Sequence, residues 1–197
     1  MDFLKHVETA WKLTLKNIVP LILMTLVMII TSFITLGILA PVTMAGYMQS
    51  ILLMLRDNRE PKIQDIFSQM NLFLPLLLFG IVVFFAIMIG FRLLVLPGII
   101  ISLIILFTCF YMLPLMTDKK LGLIEAIRES YYMSIKGQIV EHIIVVILYT
   151  GIIAIGGSVL IGSLFTQPFA TIFLLSVYSE KANQQLPASD MEKPVQG

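Results

Sequence analysis

The sequence predicts an all-α polytopic membrane protein, with six transmembrane helices in three hairpins and amphipathic interfacial helices between them. Three observations predict it. The chain is 58% hydrophobic and 13% charged, whereas an ordinary soluble domain carries about 25% charged residues. Its 13 basic and 12 acidic side chains fall in four clusters, Arg92 alone excepted. Between the clusters lie the uncharged runs 17–55, 66–91, 93–117 and 143–179. A hydrocarbon core of roughly 30 Å takes about 20 helical residues, so each run can cross a bilayer and the first and last can cross and return.

The elements follow in chain order. In 3–16, Val7, Trp11 and Leu15 recur every four positions beside Ala10 and Thr14, the period of a helix with one apolar face. Such a helix is expected to lie at the inner interface, anchored by Trp11 at headgroup depth and by Lys16. The apolar stretch after it is too long for a cleaved signal peptide. Crossings are expected at 18–40, 42–56, 72–91, 98–117, 140–158 and 163–179. The second and sixth are short, which leaves open a four-helix arrangement with one or both as re-entrant segments. Before the second pair, Ile63, Ile66, Phe67 and Met70 offer a shorter apolar face. Before the third, Ile124, Ile127, Tyr131 and Ile135 offer another, with Tyr131 and Lys136 as interfacial anchors.

Each interfacial segment thus precedes a pair of crossings, and position matches divide the chain the same way. At an offset of 120, Val7–Asn17 aligns with Ile127–Gly137, bringing Trp11 onto Tyr131 and Lys16 onto Lys136. At an offset of 56, Trp11 meets Phe67 and Pro41 meets Pro97. The expected organisation is one membrane domain over 1–182 with repeats at 3–58, 62–117 and 121–180, followed by a flexible cytoplasmic tail over 183–197.

With the N-terminus inside, every Lys and Arg except Arg92 falls on the inner side. That bias predicts the cytoplasmic membrane, with both termini cytoplasmic. A net charge of +1 argues against a nucleic-acid partner; the basic residues suit anionic lipid instead. Isolated Arg92 is expected to reach the outer headgroups. Together with Pro97 and Gly98 it forms a tight outer turn, or a contact for a lipid phosphate or other anion. Gly151, Gly156, Gly157 and Gly162 form a surface suited to close helix contact.

No catalytic constellation, metal motif or cofactor loop is present in the sequence. His6 and His142 are far apart, adjacent Glu141 and His142 point in different directions along a helix, and Cys109 has no partner for a disulfide. The crossings carry no secure buried Asp, Glu or Lys, which disfavours a proton-coupled carrier.

From Arg92 to Gly137 the sequence resembles the membrane region of poorly characterised prokaryotic multi-pass proteins, including membrane domains attached to some glycerophosphodiester phosphodiesterases. The resemblance rests on Pro97–Gly98, Asp118, Gly122, Glu125–Ala126, Arg128–Glu129–Ser130, Tyr131 and Gly137, and extends more diffusely to Ala10–Trp11–Lys12. It implies a helical membrane domain beside enzymes or transport systems. It does not carry over phosphodiesterase activity, since the soluble barrel and its metal ligands are absent from this sequence. The expectation is a non-enzymatic protein with a structural or accessory envelope role, in contact with membrane lipids and with a membrane-protein partner or further copies of itself. Transport or flipping of an apolar or amphiphilic molecule is the alternative, and an intramembrane lipid enzyme the third reading.

Overall fold

The computed structural model describes residues 2–136, 139–158 and 160–184, and among these every regular element is helical. Helix α1 (Phe3–Lys16) starts where the Asp2 carboxylate accepts the Lys5 N–H at 3.2 Å, which satisfies one of the orphan donors of a first turn. The chain then bends by 89° into α2 (Ile18–Ile34). A turn through Leu36 and Gly37, both at positive φ, leads to α3 (Ala40–Asp57), with Pro41 in the first turn, where its missing donor is harmless. Left-handed Asn58 ends α3.

The expected interfacial helix at 62–70 is instead two 3-10 turns, Ile63–Phe67 and Met70–Leu72. Of its apolar face only Ile66 is buried; Ile63, Phe67 and Met70 are exposed. Helix α4 (Phe73–Leu93) is joined to α5 (Val95–Thr108) through the single extended residue Leu94. The crossing expected at 98–117 is interrupted, because Cys109–Tyr111 separates α5 from α6 (Met112–Asp118). Ser130 fills the gap: its hydroxyl donates to the Thr108 carbonyl at 2.7 Å and accepts the Tyr111 N–H at 3.0 Å. Helix α7 (Leu123–Lys136), α8 (Ile139–Gly157) and α9 (Leu160–Gln184) complete the described chain. Helix α9 runs through Pro168 and past 182, so the expected tail boundary at 183 falls inside it; 185–197 lie outside the described residues.

Among the described residues, three stretches are long and apolar enough to cross a membrane: Ile63–Leu93, Val95–Asp118 and Ile139–Gly157. Helices α1 and α2 make a fourth if the bent pair counts as one span. The core explains why α3 is not among them. Ala45, Tyr47 and Ile51 of α3 are wholly buried, as are Phe173, Leu175 and Tyr178 of α9. A helix walled by protein has no need of the uniform apolarity that lipid demands. By contrast α4 buries only Leu76 and Gly90, and α5 only Gly98.

Helices α1 and α7 have 14 residues each, with limits 120 positions apart. Three buried positions also coincide: His6, Ala10 and Thr14 in one, Ala126, Ser130 and Ser134 in the other, while buried Met133 stands opposite half-buried Leu13. The face is displaced by one residue from the expected Val7–Trp11–Leu15 stripe, and Trp11 and Leu15 are exposed. Packing follows a rule as well. Helix α1 lies on α9, the 3-10 turns lie on α3, and α7 lies on α6. Each segment that precedes a helix pair is seated on the last helix of a different pair.

Candidate functional site

Buried polar side chains occur on most of the helices, and one cluster of polar and aromatic side chains joins α6, α8 and the second half of α9. Arg56, at the last turn of α3, pairs both guanidinium arms with the Asp118 carboxylate at the end of α6, one at 2.8 Å. The same carboxylate accepts the Tyr178 hydroxyl of α9 at 2.8 Å. Tyr178 and Tyr111 place their rings 6.4 Å apart, and the His142 ring lies 5.3 Å from Tyr111. His142 of α8 is wholly buried. Its Nε2 lies 3.0 Å from the Phe107 carbonyl. A carbonyl only accepts, so Nε2 carries the proton and Nδ1 faces the Tyr111 hydroxyl at 3.4 Å as an acceptor.

Lys181 completes the cluster. It is 6% exposed, its Nζ has no hydrogen-bond partner among the described residues, and it sits 5.3 Å from the centre of the Tyr111 ring. Burial pulls the ammonium below the ordinary lysine range, while the charge of Glu141 works in the other direction.

A second group ties α1 to α9. His6 Nδ1 is 2.7 Å from the Ser176 hydroxyl, and Nε2 is 2.8 Å from Glu180. A hydroxyl, an imidazole and a carboxylate in line are the parts of a nucleophile relay. Acyl transfer also needs donors aimed at a developing oxyanion. Ser176 sits inside α9, where backbone N–H groups are taken up by the helix. The arrangement bridges α1 and α9. Among the described residues no group of three or more His, Cys, Asp or Glu could hold a metal.

The residues singled out in the sequence lie elsewhere. Arg92 is exposed in the last turn of α4, Pro97 is half-buried in the first turn of α5, and Gly98 is buried. A Cβ at Gly98 would stand 2.5 Å from the Phe91 ring, so its open side holds protein. The turn itself is at Leu94 rather than at Pro97–Gly98. Trp11 is 50% exposed and meets Phe165 and Phe169 of α9 edge-on at 5.8 and 6.2 Å. Lys16 is exposed, Tyr131 is exposed beside Tyr132, and Lys136 closes α7. Arg92, Pro97, Gly98, Trp11, Lys16 and Tyr131 stand apart from the buried cluster. Asp118, His142, Tyr178 and Lys181 come from three helices separated in sequence and Tyr111 from the link before α6; in the sequence His142 and Asp118 stand out as polar groups at the ends of apolar runs.

The chain matches no family model, no curated protein and no solved structure.

Proposed function

We propose that this chain is a non-enzymatic integral membrane protein with a structural or accessory role in the envelope. One observation carries the reading: several polar side chains link helices that are distant in sequence. Arg56, Asp118 and Tyr178 join α3, α6 and α9, while His6, Ser176 and Glu180 join α1 to α9. Such ties favour a fixed scaffold over a carrier with two accessible states.

In this reading the chain forms three units, each an interfacial segment followed by two crossings, with both termini cytoplasmic. The matching limits and burial of α1 and α7 support the repeat, as does the seating of each interfacial segment on another unit. The charge bias supports the orientation. Kinship with the membrane domains of glycerophosphodiester phosphodiesterases, suggested by Arg92–Gly137, fits a protein that supplies localisation or lipid access to a partner.

Affinity purification in mild detergent tests the role. A membrane protein retained in fixed ratio, whose abundance or activity falls when this chain is deleted, is the expected result. Specific flux through reconstituted vesicles, with no retained partner, would overturn it in favour of transport. Cysteine accessibility tests the placement: labels near Arg59 and Lys120 should react from inside and labels near Arg92 and Gly162 from outside. The reverse pattern refutes the orientation.

A further inference from the structure

We propose that the open pair α2 and α3 forms a binding site for one hydrocarbon chain of a membrane lipid. This goes beyond the accessory role and rests on the membrane placement given above. The other two pairs are closed near their turns by glycine. A Cβ at Gly90 would stand 3.0 Å from the Gly98 Cα, so α4 and α5 touch there. A Cβ at Gly162 would stand 2.8 Å from the Gly156 carbonyl oxygen, and one at Gly156 would overlap Thr166. Moved back by 56 and 120 positions respectively, Gly98 and Gly162 both fall on Val42. By the same shifts Gly90 falls on Ile34 and Gly156 on Leu36. The first pair carries large side chains where the others carry hydrogen, and it stays apart.

The gap is a cleft of about 540 Å³ lined by Met28, Ile29, Ser32, Phe33, Ala40 and Met44. Its size and chemistry select the occupant. A helix with its side chains is about 10–12 Å across and advances 5.4 Å per turn, roughly 400–600 Å³ for each turn. The cleft would seat about one turn of a partner helix or of a second copy, too little to hold a crossing segment. An alkyl chain is only about 4 Å across at van der Waals contact and can lie along the walls 28–33 and 40–44, about 6–8 Å of helix rise, or roughly half of a leaflet's depth of about 15 Å. No formal charge occurs from 17 to 55, so the walls offer nothing to a charged headgroup and accept the tail. Met28 and Met44 supply unbranched, adaptable surfaces for a chain of variable shape. Phe33, Ile34 and Leu36 beside the turn are 83, 73 and 90% exposed, which leaves the mouth open sideways to lipid.

The test uses the full chain in phosphatidylcholine–phosphatidylglycerol vesicles containing a phosphatidylcholine with a diazirine on one acyl chain. After illumination, peptide mapping should find adducts concentrated on Met28–Met44, above those on the lipid-exposed residues Val82 and Phe84 of α4. Ala40→Phe should lower the cleft adducts at least five-fold and leave the α4 adducts unchanged. Ser32→Leu, a milder filling of the same space, should lower them two- to three-fold, with elution as a single species confirming the fold of both variants. Cleft labelling no greater than on α4, or undiminished by either filling, overturns the proposal. Crosslinks from the cleft to another protein chain also overturn it. Absence of adducts on α4 as well would instead refute the membrane placement, so the two failures are distinguishable.

Discussion

Helices α3 and α4 are nearly the same length and sit in the molecule in opposite ways. Of the 21 residues of α4 only Leu76 and Gly90 are buried, and its sequence is almost wholly apolar. Helix α3 has 18 residues, carries Thr43, Tyr47, Gln49, Ser50 and Arg56, and is walled by α2, α6, α9 and the 3-10 turns. In this pair apolarity goes with exposure at the surface of the molecule, while burial inside the protein goes with polarity. Two of the polar groups inside have partners there: Tyr47 meets Thr25 at 3.0 Å, and Ser50 donates to Asp65 at 2.7 Å. Of these two helices the more apolar one contributes less to the core.

That contrast predicts a graded series of substitutions. The largest effect belongs to Gly46→Leu in α3, because any Cβ there would overlap the Ile66 and Asp65 carbonyls, which are backbone and cannot swing aside. Folded protein should disappear from size-exclusion chromatography in detergent; a normal yield would show that the 3-10 turns are not seated on α3. Next, Asp118→Ala strands Arg56 and removes the acceptor of Tyr178. Its thermal midpoint should fall by several degrees, although solvent at Arg56, 43% exposed, moderates the loss. Ser130→Ala leaves the Tyr111 N–H and the Thr108 carbonyl without their hydroxyl partner and should cost about 1–3 kcal/mol in chemical denaturation.

Lys181→Met gives a smaller effect with a distinctive pH dependence. The folded protein holds the Lys181 proton less tightly than the unfolded chain does, so this group destabilises the fold below its folded pKa. The penalty fades as pH rises from that lowered value towards the ordinary lysine range of about 10.4. Lys181→Met should be at least as stable as the parent at neutral pH, and the parent should gain on it between neutral pH and about pH 10. Parallel stability curves would contradict a desolvated ammonium over Tyr111. At the far end of the series, Val82→Ala and Phe84→Ala on α4 should shift the midpoint by less than about 0.5 kcal/mol, since these side chains are 67 and 63% exposed.

The sequence pattern made the peripheral helices easy to read and the central site hard. Ile139–Gly157 lies within one residue of the expected 140–158, and α4 within two of 72–91, because a lipid-facing helix writes its own limits in charge and apolarity. The register shared by α1 and α7 was visible in Trp11 and Tyr131, yet the buried face was misplaced by one residue. Position 11 drew attention because it is aromatic, while small Ala10 and Ser130 occupy the contact. The break at Cys109–Tyr111 leaves no local mark, since neither Gly nor Pro occurs there and the stabilising hydroxyl belongs to Ser130, in the next helix. The cluster around Tyr111 was equally hidden: a tyrosine within an apolar run predicts neither the histidine from α8 nor the lysine from α9 that packs beside it.

Leu94 is a single extended residue between two apolar helices, and it bears on how the chain is made. In the membrane placement proposed above, a single residue leaves no loop to hold either end outside, so α4 and α5 would enter the bilayer as one body. The charge that body would carry over is Arg92, in the last turn before the link. Lengthening the link would separate two insertion events that the native chain makes one.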